Sequence, residues 1–319
     1  MRLHEEIFLR LATRRRQKLG DLSEEAFAEL MLAVRENPDA FLDDMSEGAL
    51  QVLERGLNTY AESVRDDDLL EDDQYQKVRL TRLGALRVAC AAAYTMDPGC
   101  LDARVIDVMA QDLGPDETLA KLVRIRSEAD PLPEAGADAW SDVFARPRLR
   151  LEAAISRVLL DGARCRAAIA TSERIMECMP GDELGCRHTE AIALARLEDE
   201  AGFDALDARF GRHDDSWTGL SRVILLYKLG RLSAARRALR GFGDLCPGGL
   251  YALLRPVYVE VYLPDRPEAT PNTMEEAFLA VREAEPTIAD VPGFIPWCCE
   301  QPGISEGAKA WAEKNDLDW

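Results

Sequence analysis

The chain is short of the residues and patterns that most reaction centres use. It has only three histidines, His4, His188 and His213, which leaves few candidates for proton transfer or metal ligation. No Gly-x-Ser-x-Gly, His-Glu-x-x-His or phosphate-loop pattern occurs. Gly241-Phe242-Gly243 lacks the preceding strand and third glycine of a dinucleotide fingerprint. Positive charge is also scarce: 39 Lys and Arg stand against 58 Asp and Glu, a net charge of −19 with a pI near 4.7. That balance argues against a general nucleic-acid binder, because phosphate contacts need a basic face. No uncharged apolar run approaches the roughly 18 residues of a spanning helix. The charged N-terminus has no apolar core of signal-peptide type, so no membrane span and a cytoplasmic location are expected.

Hydrophobic residues make up 47% of the chain, ordinary for a folded protein. Its eight cysteines sit mostly singly within apolar patterns, as buried small hydrophobes in a reducing compartment do. Cys178, Cys186 and His188 have no recognised zinc spacing and no fourth ligand. The vicinal pair Cys298-Cys299 lacks neighbouring Lys or Arg to lower a thiol pKa. His188 lies in line with Ala191, Ile192 and Ala195, a pattern that predicts a packed structural histidine. No cofactor, metal or catalytic residue is expected, and the expectation is a protein that is not an enzyme.

Helical periodicity is what the sequence does have. Leu3, Ile7, Phe8 and Leu11 predict a helix over 3–19, and Ser23 caps a second that Asn37-Pro38 breaks. A third is expected over 46–62. The acidic connector at 65–73 reads as a solvated loop. A long helix follows over 74–96, with Leu83, Leu86, Cys90, Ala93 and Tyr94 on one side. The next carries Leu101, Val105, Val108 and Met109 and is expected to end near Gly114-Pro115. Another fades into Asp130-Pro131-Leu132-Pro133, a loop between units.

Past Trp140 the stripes sharpen. Leu151, Ile155, Val158 and Leu159 form one; Cys165, Ala168, Ile169, Ser172, Ile175, Met176 and Met179 form a second, with Gly162 expected at the reversal. A helix over 184–200 and a short return helix with Phe203, Leu206 and Phe210 follow, around Gly202. Trp217, Leu220, Ile224 and Tyr227 share one spacing with Leu232, Ala235, Leu239 and Phe242 across Gly230. The segment from Tyr251 to Val261 reads as a helix interrupted by Pro256. Thr273 and Glu276 predict a capping box for a helix running to Pro286, and residues 305–314 predict a last helix with Trp311.

Glycines 162, 202 and 230 are 40 and 28 residues apart, bracketing the roughly 34-residue period of a tetratricopeptide repeat. Gly230-Arg231-Leu232-Ser233-Ala234-Ala235 with Ala238, after Trp217, Leu220, Ser221 and Ile224, resembles one such repeat. Asp207 and Arg209 make the middle repeat degenerate. A longer resemblance runs from Ala93-Tyr94-Thr95-Met96-Asp97-Pro98-Gly99-Cys100-Leu101-Asp102-Ala103, through Arg146-Pro147-Arg148-Leu149-Arg150 and Gly162, to Met179-Pro180-Gly181-Asp182-Glu183-Leu184-Gly185-Cys186-Arg187. These landmarks are similar to those of divergent bacterial tetratricopeptide proteins related to the suppressor-of-tumorigenicity-7-like family. Glu285-Pro286-Thr287 departs from that family's Asn-Pro-His type turn.

The resemblance implies an all-α fold, an α-solenoid of tetratricopeptide-like hairpins with an N-terminal helical region. The expected divisions are 1–64, 74–130, 140–245 and 246–319. It also implies a non-enzymatic scaffold for a protein or peptide; the acidic charge favours basic segments in that partner. The alternative is a regulatory sensor that takes a small molecule or signalling peptide in the superhelical groove. Expected solvent-facing partner-binding positions are Arg148, Glu152, Arg187, Glu190 and Arg222. Two basic islands, Arg14-Arg15-Arg16 with Lys18 and Arg231, Arg236, Arg237 and Arg240, read as solvated faces, the second also as a site for an acidic segment.

Overall fold

The apolar stripes become helices. The computed structural model describes residues 3–64, 67, 70, 72–136, 138–211, 215–256 and 262–319. Among these it is all-helical, with sixteen α-helices, a 3-10 turn at Pro38–Phe41 and no strand. Contacts divide the chain into two compact units, residues 1–151 and 152–319, with the division inside one helix.

The first unit contains α1 (Leu3–Leu19), α2 (Glu24–Glu36), α3 (Met45–Ser63), α4 (Asp72–Met96), α5 (Leu101–Met109), α6 (Pro115–Glu128) and the start of α7 (Arg146–Asp161). Neighbours in sequence pack on each other, α1 on α2, α3 on α4, α4 on α5 and α5 on α6. Ser23 caps α2 as expected, its Oγ accepting from Ala26 N at 3.2 Å. A Cβ on Gly56 would stand 2.5 Å from Ala89 Cβ, so this glycine permits the close approach of α3 and α4. Leu83, Leu86, Cys90 and Ala93 are buried, but Tyr94 in the last turn is exposed. α5 stops at Met109, short of the expected end, because Asp112 turns the chain at φ 49°; Pro115 instead opens α6.

A buried ionic knot holds this unit. Arg150 pairs with Glu6, and at 3.1 Å with Asp102. All three are almost wholly buried, where each charge requires its partner. The N-terminal basic island is neutralised internally: Arg14 pairs with Asp44 and Glu47, and Arg15 and Lys18 with Asp43. Asp67 pairs with Arg82 at 2.6 Å; most of the acidic connector around it lies outside the described residues.

The second unit contains the rest of α7, then α8 (Cys165–Cys178), α9 (Cys186–Leu197), α10 (Glu200–Arg209), α11 (Ser216–Lys228), α12 (Leu232–Leu245), α13 (Gly249–Leu254), α14 (Met274–Ala289), α15 (Phe294–Glu300) and α16 (Ile304–Lys314). α8 and α10 both pack on α9, α11 packs on α9 and α12, and α14 packs on α11, α13 and α9. α7 meets α8 through Ser156 Oγ and Ser172 Oγ, 2.7 Å apart.

Two of the three expected glycine reversals are made by other residues. Gly230 does turn the chain, at φ 71°, but Ala163 at φ 59° takes that role beside Gly162, and Glu198 at φ 61° precedes Gly202. Gly202 lies inside α10, its N–H donating to the Asp199 cap. α14 also runs through Pro286 to Ala289, so the proline lies within its last turn rather than ending the helix ahead of it. Thr273 caps α14, but Glu276 turns away to accept from Ser216 Oγ at 2.6 Å and from Asn272 N at 3.0 Å. α13 ends at Leu254; residues 257–261 of the expected helix lie outside the described residues. Phe294–Glu300 is a helix the sequence pattern did not indicate.

Candidate functional site

The short α10 and the small residues facing it create a cleft in the second unit. Ala170 on α8 and Ala205 on α10 are small residues beside it, and Gly202 lets α10 come close to α9, since a Cβ there would stand 2.8 Å from Leu194 Cδ2. The result is a cavity of about 450 Å³. Ile169 and Glu173 on α8 and Leu206 and Arg209 on α10 line its sides, while Glu190 and Leu194 on α9 form its floor. Leu197 at one end is 41% exposed.

Glu190 is the unusual residue here. It is only 5% exposed, and its Oε2 is sealed from solvent without a hydrogen-bond partner. Desolvation, then the nearby Glu173 charge, push its carboxyl up to about 7, against a smaller pull from Arg209. Arg209 is engaged elsewhere: Nη2 donates to Met176 O at 3.1 Å, and the guanidinium lies 5.4 Å from the Phe210 ring centroid. Among the described residues no group of His, Cys, Asp and Glu is arranged to hold a metal ion.

The other expected positions do not join Glu190 in one surface. Glu152 is wholly buried rather than solvent-facing, and takes Arg174 of α8 at 3.0 Å. Glu190 is likewise buried, because α9 is covered on both sides by α8 and α10. Arg187 and Arg222 are partly exposed and lie against the other flank of α10. Arg187 pairs with Asp182 and Asp215 and lies over Phe210. Arg222 pairs with Asp204 and Asp207 and lies over Phe203. Arg148 belongs to the first unit, where its Nε donates to Asp130 O at 2.6 Å. In the second basic island, Arg231 pairs with Glu200 and Arg236 donates to Gln301, while Arg237 and Arg240 are exposed.

A second polar cluster lies at the start of α9 and is closed by the segment before α14. Arg266 donates to the carbonyls of Leu184 and Gly185, both at 2.6 Å, to Thr189 Oγ1, and to both oxygens of Glu283. This pairing holds the Glu283 carboxyl below its ordinary range despite burial. His188 stacks on Trp217 with centroids 4.2 Å apart. Burial and the Arg266 and Arg187 charges keep its pKa well below the usual imidazole value, so it is a packed neutral ring. Asp182 caps α9, accepting from Cys186 N at 2.6 Å and Arg187 N at 3.1 Å. Sequence reasoning named His188 as structural but missed Arg266 and Glu283, which lie 17 positions apart with no motif between them.

All eight cysteines are free, and only Cys299 is exposed. Burial raises the thiol pKa of Cys298, Cys90 and Cys100, to about 12, 12 and 11. Among the described residues no helix is long and apolar enough to cross a membrane.

No family model, curated protein or solved structure matches the chain.

Proposed function

We propose that this protein is a non-catalytic helical scaffold that binds a protein or peptide segment carrying basic residues. In this reading α7 to α12 are stacked tetratricopeptide-like hairpins of an α-solenoid, divergent relatives of the suppressor-of-tumorigenicity-7-like proteins, with an irregular middle pair. Repeat scaffolds of this kind present grooves to extended or helical segments. The observation that supports the reading best is the cleft between α8 and α10, where walls of mixed apolar and charged residues surround a buried carboxylate oxygen without a hydrogen-bond partner. The net charge of −19 adds long-range attraction for a basic partner. Buried, protonated thiols suit a reducing cytoplasmic setting.

The test is an immobilised peptide array probed with the wild-type chain and with Ala205→Trp, which fills the cleft from an exposed position on α10. The expected result is retention on basic peptides by the wild type and loss of that retention in the variant. Equal retention by both proteins, or a preference for acidic peptides, would contradict the proposal. A cavity of about 450 Å³ is also of small-molecule size, which favours the sensor reading as the second choice. A ligand-dependent rise in Tm without peptide retention would select it.

A further inference from the structure

The carboxylate on the floor of the cleft presents one oxygen edge rather than two. Oε2 of Glu190 is sealed and accepts no hydrogen bond, yet the side chain lines the cavity. An ionised oxygen held this way is costly unless a cation meets the group. Two arginines line the cleft and neither pairs with it: Arg166 is exposed on α8, Arg209 is turned to Met176 O and the Phe210 ring, and among the described residues no ion pair reaches Glu190. Glu190 is therefore left without a direct ion-pair partner from its own chain among the described residues.

Geometry narrows what kind of charge fits. A guanidinium recognises a carboxylate through two parallel hydrogen bonds to two oxygens, and here one oxygen is out of reach. A divalent cation requires several oxygen ligands, and no such group is arranged among the described residues. A primary ammonium is a compact point charge that needs a single oxygen edge. Ile169, Leu194 and Leu206 along the walls suit the methylene stem that carries it. Glu173, exposed on α8 at the same cleft, adds a second negative charge.

We infer that the cleft between α8 and α10 is a binding site for a primary alkylammonium group, presented by a lysine side chain of the partner segment, with Glu190 as its counter-ion. This rests on the scaffold reading above and specifies the partner's anchoring residue. Glu173 steers the ammonium, and Ile169, Leu194 and Leu206 pack along its methylene stem.

The test is calorimetric titration of the full chain with a capped lysine-containing peptide and with its arginine, norleucine and acetyl-lysine counterparts. 1,5-Diaminopentane serves as the free-amine arm. Saturable binding is expected for the lysine peptide, with at least about tenfold weaker binding for the other three peptides. Glu190→Gln, which preserves side-chain shape, is expected to lose about tenfold in affinity; Glu173→Lys, on the exposed rim, is expected to lose several-fold. Circular dichroism confirms that both variants fold. Absence of lysine-peptide binding, tighter arginine-peptide binding, or unchanged affinity in folded Glu190→Gln overturns the inference. Basic-peptide binding blocked by Ala205→Trp but indifferent to Glu190→Gln overturns the ammonium site and leaves the scaffold reading intact. Diaminopentane binding through Glu190 without peptide binding supports the ammonium chemistry and overturns its peptide source.

Discussion

At the scale of single residues, Glu190 defines the account. Its folded pKa near 7 exceeds the ordinary glutamate value of 4.5. The folded state therefore holds the proton more tightly than the unfolded chain does. Below about pH 4.5 both states are protonated and Glu190 carries no penalty. Stability is lost as pH rises between 4.5 and 7, and the full penalty persists above 7. Glu190→Gln removes the charge while keeping the shape. The predicted result is a higher Tm for the variant at pH 8, shrinking to little difference at pH 4.5. A gap of equal size at both pH values would contradict it. The comparison with wild type matters, because depressed residues such as His188 act in the opposite sense: the unfolded chain takes up a proton below about pH 6.5 that buried His188 resists. A buried residue that lowers stability at neutral pH is a candidate for a binding role.

Single-residue features were unevenly legible in the sequence. Glu190 could be named as a polar position on an apolar helix, but its burial could not. Polar and apolar residues alternate around α9 without segregating, so periodicity gave no face to assign as solvent-exposed. Arg187 and Arg222 were legible as charged positions, whereas their ion pairs with Asp182, Asp215, Asp204 and Asp207 depend on tertiary placement. Arg266 and Glu283 carried no signal at all, since a buried pair is set by which segments meet in space.

At the scale of elements, helix existence was readable and the turns were less so. The stripes over α7, α8, α11 and α12 have a strong period, and caps such as Ser23 and Thr273 are chemically explicit. The reversals were harder because a glycine nearby is not always the residue that turns. Ala163 and Glu198 adopt left-handed backbone at φ 59° and 61°, which costs an L-residue roughly 1–2 kcal/mol. Ala163→Gly and Glu198→Gly are each expected to stabilise the chain by about 0.5–1 kcal/mol, read as an upward shift of the denaturation midpoint at unchanged m-value. By contrast Gly162→Ala is expected to be near neutral, since Gly162 is not in that conformation. If Gly162→Ala were the more disruptive change, the assignment of the turn would be wrong. In the cleft, Gly202 lets α10 approach α9, and the exposed Ala205 is the position where bulk would close the gap.

At the scale of the whole molecule, the all-helical class followed from composition and period, and neighbouring helices pair as such chains do. The division into two compact units at 151/152 falls inside α7. The only proline of α7, Pro147, lies in its first turn and no glycine stands near 151/152, so this division left no trace in the pattern. The first unit contributes its own ionic knot around Arg150, whereas the binding proposal rests wholly on the second. The most direct measurement is therefore an NMR titration of the isotopically labelled full chain with the lysine peptide, following backbone amides and the Glu190 side-chain carboxyl carbon. The account predicts amide shifts concentrated in α8 to α10, residues 1–151 unmoved, and a Glu190 carboxyl that titrates well below its free value near 7 once peptide is bound. Shifts scattered over both units, or a Glu190 titration unchanged by saturating peptide, would contradict it.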